Sequence, residues 1–265
     1  MSGPDVKISR QFGMHRDQAY PSPVHTFAPG CCPGYFAASP LTWHQSWGRL
    51  TIQISEHQRG CKTMKILVIG GNGTIGKRVC AYFSKKHSII VAGRNSGDVT
   101  VDIEDSKSIE SMLKKVETVD AIVSITGSAK WAAFDQMSED DFYIGFKSKL
   151  MGQVNLVRLG CEYVNEGGSI TLTTGILADE PVVNTTSPAM VNGAIHSFVK
   201  AVSLELACQP RVNVVSCGLV EDSAEKYDGI FPGHNPIPMN KVVNCYVKSV
   251  EGKVNGEIIR MYDNC

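Results

Sequence analysis

The stretch Lys65 to Gly76, KILVIGGNGTIG, constrains this chain more than any other. Its apolar run Ile66-Leu67-Val68-Ile69 has the length of a fully buried strand. Glycines follow at Gly70, Gly71, Gly73 and Gly76, and Lys77 to Phe83 continues with helical spacing. A strand, a glycine turn and a helix N-terminus together make a pyrophosphate site. Glycine lets the backbone turn tightly and approach the phosphates, and the unpaired N–H groups at the positive end of the helix dipole hold the anion. His87 to Arg94, HSIIVAGR, reads as a second strand at the distance expected after one crossover helix. Where NAD-binding strands end in an acid that bonds the ribose 2′-OH, this one ends Ala92-Gly93-Arg94-Asn95-Ser96. A guanidinium suits a 2′-phosphate, so NADP(H) is expected over NAD(H), the competing reading being a solvated loop arginine.

The α/β alternation continues. Strands are expected at Val99–Asp102, Val119–Ile125, Ser169–Thr174, Arg211–Ser216 and Gly256–Tyr262. Helices are expected at Ser106–Lys115 with Ser106 as N-cap, at Asp140–Asn165 ended by Gly167-Gly168, and at Pro188–Cys208. Strands spaced by helices predict an α/β fold: a Rossmann-type, doubly wound parallel sheet in a single domain over residues 64–265.

From about Met64 to Tyr262 the chain resembles a short-chain dehydrogenase/reductase. The glycine loop GGNGTIG matches that family's phosphate loop, which implies cofactor contacts from Gly70, Gly73, Thr74, Ile75 and Gly76, and from Arg94 and Asn95 after the second strand. Asp102-Ile103 matches the adenine-contacting pair after the third strand, and Ser124-Ile125-Thr126-Gly127 the Asn-Asn-Ala-Gly turn after the fourth. Val212 to Gly218, VNVVSCG, matches the VNxVxPG segment and would put the Val220 backbone near the nicotinamide amide.

The departures fall on the catalytic residues. Aligning Gly193-Ala194-Ile195 with the family's post-lysine residues puts Asn192 at the lysine of Tyr-x-x-x-Lys and Pro188 at the tyrosine. The serine position falls on Gly175, with Thr174 just before it, and the helix-four asparagine position on Lys149. Hydride addition to a carbonyl makes an alkoxide that needs a proton and an oxyanion stabiliser, which proline and asparagine cannot supply in the family's manner. Lys149, at a position that faces the active site in the family, is the expected substitute, with Thr174 supplying a hydroxyl to the same oxygen. Small family members similar to this chain carry the same Lys-Leu-Met-Gly stretch and lack the tyrosine. The strings Tyr82 to Lys86 and Tyr143 to Lys147 read as coincidences, and His196 as a packing or interface residue. Asp179-Glu180 either line a cleft or are solvated. Tyr227 and Phe231 either cover the nicotinamide or close the edge of the core. The expected activity is NADP(H)-dependent reduction of a small carbonyl or related acceptor. The competing expectation is a catalytically silent NADP(H)-binding sensor or assembly subunit.

Residues 1–63 contain six prolines, scattered His and Trp and no sustained period, the composition of a disordered extension. Met64 stands immediately before the first strand, so the extension reads as an artefact of the gene model, an organellar presequence being the lesser alternative. The balance of 26 basic and 26 acidic residues, with no basic stripe, predicts no nucleic-acid partner, and no apolar run has membrane length. Nine cysteines without CxxC pairs predict no metal and a reducing, cytoplasmic compartment. Apolar residues on more than one face of helices four (Phe142, Phe146, Val154, Val157, Cys161) and five (Val191, Ile195, Phe198, Val202, Leu206) predict a homodimer through those two helices.

Overall fold

The computed structural model of the protein describes residues 63–206 and 209–264. The extension expected over residues 1–63 lies outside the described residues except for Thr63, as does Cys208 at the expected end of the fifth helix.

Seven parallel strands form one sheet in the order β3-β2-β1-β4-β5-β6-β7. They are β1 Lys65–Ile69, β2 Ser88–Gly93, β3 Val99–Thr100, β4 Val119–Ser124, β5 Val164–Gly175, β6 Arg211–Cys217 and β7 Ile258–Met261. The helices are α1 Thr74–Phe83, α2 Ser106–Val116, α3 Glu139–Gly145, α4 Gly152–Gly160, α5 Thr186–Glu205 and α6 Met239–Val250. The period-two geometry of a strand sends alternate residues to opposite faces. Leu67 and Ile69 join a core with α2, α4 and α5, while Ile66 and Val68 join a second core with α1 and α6. A strand buried on both sides must be apolar throughout, and β1 is buried from Ile66 to Ile69.

Three local readings are corrected. The Asp105 carboxylate, not Ser106, caps α2, accepting from the Lys107 N–H at 2.9 Å. The fourth helix is not continuous over Asp140–Asn165. A π-helical turn, Phe146–Met151, separates α3 from α4, and a 3₁₀ turn, Cys161–Tyr163, leads into β5. Gly167-Gly168 do not end a helix but lie within β5, where the β4–β5 register shifts: Val119 pairs Val164 and Ala121 pairs Ser169. Gly167 has φ +74°, and a Cβ on Gly168 would lie 2.5 Å from the Asp120 carbonyl oxygen. Glycine is therefore needed there for a bulge.

Helix α6 falls in a stretch where no element is expected from the sequence. Its apolar positions Val242, Val243, Tyr246 and Val250 form the buried stripe, and Pro238 occupies its N-cap. The Tyr246 hydroxyl meets Thr173 Oγ1 at 2.9 Å in the centre of the second core. Asn213, inside β6, donates to the Val254 carbonyl and accepts from the Glu257 N–H, so this matched residue ties β6 to the connection before β7. No helix among the described residues is long and apolar enough to cross a membrane.

Candidate active site

The sheet order reverses between β1 and β4, and the carboxyl ends of those strands open a crevice of the kind that binds ligands in doubly wound sheets. Gly70 leaves β1 with φ +83°, and a Cβ there would meet the Ile125 carbonyl oxygen at 2.4 Å. A Cβ on Gly76 would lie 2.2 Å from the Gly70 carbonyl oxygen, which also accepts from the Gly73 N–H at 3.0 Å. The turn closes this tightly only with glycine. Helix α1 starts at Thr74 with Gly73 as N-cap, no side-chain cap and no acid in its first turn. Its leading N–H groups and dipole therefore face the crevice uncompensated by a capping oxygen or carboxylate. A cavity of about 440 Å³ lies there, lined by Gly70, Gly73, Arg94, Ile103, Thr126 and Gly127, among others. Asn72 and Ser96, which sequence reasoning passed over, also line it and hydrogen-bond each other at 2.9 Å, tying the glycine turn to the loop after β2. These residues fit a dinucleotide. Thr74 and Gly76 belong to the helix start, Ile75 lines the adjoining apolar cavity, and Asn95 does not line the trough although both its neighbours do.

At the ribose end, Arg94 Nη2 donates to Asp102 Oδ1 and Glu104 Oε1, both at 3.0 Å. The Asp102 carboxyl is held below its ordinary value by the Glu104 N–H and then by this guanidinium. Asp102 thus turns toward Arg94, while its neighbours Val101 and Ile103 line the trough. No sequence pattern pointed to Glu104 as a partner.

A second cavity of about 690 Å³ adjoins the first at Gly127 and Ser128. Lys149 lines it from the π-helical turn. The wider turn inserts an extra residue, a feature that recurs at functional sites. It is bracketed by Gly145 and Gly152, whose Cβ atoms would press on Ala129 at 3.1 Å and on Ile103 Cδ1 at 2.9 Å. Gln153, fully buried, donates to the Lys149 and Thr173 carbonyls and accepts from the Thr173 N–H, pinning the turn to β5. Gly127, at φ +106°, lets the Lys149 backbone close in, since a Cβ there would lie 2.9 Å from Lys149 Cα. Among the described residues Lys149 has no ion-pair partner, and desolvation lowers its pKa to about 8. Its fractional exposure is intermediate, and part of its surface lines the cavity.

Pro188 and Asn192, expected at the family's tyrosine and lysine positions, line this same cavity with Lys149. Asn192 Oδ1 is buried without a hydrogen-bond partner. Thr174 also lines the cavity, but its Oγ1 meets His196 Nε2 at 2.8 Å. Reading His196 as only a packing or interface residue is thus incomplete. It is buried, its pKa is lowered by that burial, and its ring fixes the Thr174 hydroxyl. When Nε2 carries the proton, Thr174 accepts and its own O–H remains available to a ligand. The nearby Cys217 thiol is pushed up to about 11 by burial and stays neutral.

The outer wall is aromatic. Trp131 stacks on Tyr227 with centroids 5.7 Å apart, and Phe231 packs edge-on to both. Tyr227 and Phe231 therefore flank a cavity instead of closing the sheet edge, and Trp131 joins them from the segment after β4. Val220 and Ile75 line the apolar floor of that adjoining space. Asp179 does not line the cleft. Its carboxyl is held at about 2, chiefly by the Arg260 guanidinium, and it also accepts from the Tyr262 hydroxyl. Glu180 pairs outward with Asn264 and His234. Tyr82 packs on Phe83, and the exposed Tyr143 donates to Glu139, so neither lines the cleft.

This chain belongs to the short-chain dehydrogenase/reductase family: the family model described as enoyl-(acyl carrier protein) reductase matches residues 77–236. Among solved structures, the protein lin1944 from Listeria innocua is 44% identical, with a TM-score of 0.73 over 76% of this chain and 100% of that one. A small-chain dehydrogenase in complex with NADPH is 26% identical, with a TM-score of 0.67 over 75% of this chain and 96% of that one. The chain spans about half the length of the curated relatives it matches. One is the 2,3-dihydro-2,3-dihydroxybenzoate dehydrogenase of Escherichia coli, 26% identical over 133 residues, or 48% of this chain and 54% of that protein.

Proposed function

We propose that the protein is an NADP(H)-dependent reductase of a small carbonyl compound in which Lys149 replaces the family's tyrosine. The observation that carries this reading is a desolvated lysine, without a counter-ion among the described residues, that lines the same cleft as Pro188 and Asn192. The nicotinamide cofactor, when bound, supplies a hydride. The chain's residues do the rest. Gly70, Gly73, Thr74, Ile75 and Gly76 hold the diphosphate through the glycine turn and helix start, and Thr126, Gly127 and the Val220 backbone border the nicotinamide half. Arg94, with Asn95 beside it, meets the 2′-phosphate. Its surface pairing with Asp102 and Glu104 is of the weak, exchangeable kind. The Lys149 ammonium gives its proton to the carbonyl oxygen as negative charge grows there, and a pKa near the working pH suits that transfer. The Thr174 hydroxyl, oriented by His196, steadies the same oxygen. Trp131 and Tyr227 keep water from the cleft.

The test is NADPH oxidation across a carbonyl panel for the native chain, Lys149→Ala and Tyr227→Phe. Turnover lost in the first variant and kept in the second supports the reading. Turnover unchanged in Lys149→Ala removes it. Tight NADPH binding with no turnover of any acceptor favours the silent cofactor-binding role, which draws on the substitution of all four usual catalytic positions.

The exposed apolar residues Ile144 and Met151 on one side and Met190 and Leu204 on α5 are the proposed faces of a homodimer. Sedimentation showing a monomer would exclude it. Free thiols at Cys80, Cys161, Cys217 and Cys245 suit the reducing, cytoplasmic compartment proposed here.

A further inference from the structure

The segment Glu221 to Asp228, EDSAEKYD, carries four carboxylates and one lysine, yet the charges are sorted by direction. Glu221 accepts from the Met239 N–H at 2.8 Å and anchors α6. Asp222 forms a two-toothed pair with Arg78 on α1, at 2.8 and 3.2 Å. Glu225 and Asp228 line a separate neighbouring cavity. Lys226 alone of the five lines the Lys149 cleft, with its Nζ 5.2 Å from the Tyr227 ring centroid. Among the described residues the cleft lining thus holds two lysines and no carboxylate. Beside Lys226 the Trp131 and Tyr227 rings stack on each other at 25°, so the pair forms an aromatic post at the cleft wall.

We infer that the substrate is a planar, ring-bearing carbonyl compound with a carboxylate, the ring packing on the Trp131–Tyr227 stack and the carboxylate meeting Lys226. The inference rests on the cleft being the substrate site of the proposed reductase. Two cations serve two purposes in it. Lys149, deep and desolvated, attends the oxygen that changes charge. Lys226, at the rim, attends a charge that stays constant and so selects the substrate without taking part in its chemistry. An ion pair at an exposed cleft rim supplies discrimination of about two- to fivefold over a neutral analogue. The orphaned Asn192 Oδ1 further favours a hydroxyl or N–H on the same ligand, because a buried acceptor left unpaired costs free energy that such a donor recovers.

The test is calorimetry on the full chain with NADP⁺ present, using benzoate and benzamide as probes of equal shape and different charge. Benzoate is expected to bind about two- to fivefold more tightly. Lys226→Ala should abolish the difference, Lys226→Arg should retain most of it, and Trp131→Ala should weaken both probes alike. Equal affinity for the two probes, binding of neither, or a preference that survives Lys226→Ala would overturn the inference. A failure of the reductase reading looks different: a benzoate preference that depends on Lys226, with no acceptor reduced, would leave the anion site standing and remove the chemistry.

Discussion

The glycine turn at Gly70–Gly76 and the cleft around Lys149 open at the same edge of one sheet, but they are made of different material. The first is backbone: glycines that admit no Cβ, a helix start without a cap, and a parallel strand on either side of β1. The second is side chain and irregular helix: a π-helical turn, a buried glutamine that pins it, a threonine held by a histidine, and an aromatic wall from two distant segments. A backbone site tolerates almost no substitution at its glycines and varies little in chemistry. A side-chain site can exchange every reacting group while the fold stays the same. The proposed exchange of four catalytic positions beside a glycine turn that keeps the family's spacing would be an instance of that asymmetry.

Substitutions that act on one region and spare the other would sharpen the contrast. The largest effect is expected from Lys149→Ala: a turnover loss of about 10²–10⁴-fold, with NADPH affinity changed less than about threefold, since phosphate binding rests elsewhere. An equal loss of both in steady-state and binding assays would break the separation. The pH profile carries the same signature. The Lys149 pKa is lowered from 10.5 to about 8, so the proton it must donate is present below that value and absent above it. Reduction should therefore fall as pH rises through about 8, and this limb should vanish in the alanine variant.

Next is Gly76→Ala, whose Cβ would collide with the Gly70 carbonyl at 2.2 Å. NADPH affinity should fall by about a hundredfold and the melting temperature should drop, because the obstacle is backbone that cannot rotate away. Calorimetry and thermal melts check it, and a fully functional variant would show that the turn is looser than its geometry. Arg94→Ala should weaken NADPH binding by roughly tenfold and leave NADH binding and stability nearly unaltered, because its present pairs are exposed. Equal losses for both nucleotides would assign Arg94 to the adenosine in general and not to the extra phosphate.

The smallest effects concern stability. Thr174→Val leaves the buried His196 nitrogen unpaired and should cost about 1–2 kcal/mol in denaturant unfolding. Lys149→Met should stabilise the protein at neutral pH by about 1 kcal/mol after allowance for solvent screening. The sign follows from linkage. The folded pKa lies below the unfolded one, so the penalty of burying the charge is complete below about 8 and fades as pH rises toward 10.5. The gain should fade over the same interval.

The sequence made the backbone region legible because strand burial, glycine spacing and α/β alternation are local patterns. The strands β1, β2 and β4 and the trough lining at Gly70, Gly73, Thr126 and Gly127 follow from them. The side-chain region was legible only where alignment to the family placed a residue, as with Lys149 and Thr174. The helix break at Phe146–Met151 was not, since apolar residues on more than one face of that segment hide the phase shift of one inserted residue. The bond between Thr174 and His196 spans 22 residues, and the stacking of Trp131 on Tyr227 joins segments far apart in the chain. No local period encodes either contact.

The sequence by itself determined the doubly wound sheet and the phosphate turn, because each depends on what one short segment can adopt and bury. Tertiary structure alone decided which partners Arg94, Thr174 and Asp179 take, that α6 closes the second core, and that Lys149 and Lys226 share one cleft. Those outcomes depend on which distant side chains are brought within hydrogen-bonding reach, and only the packing of seven strands and their helices sets that.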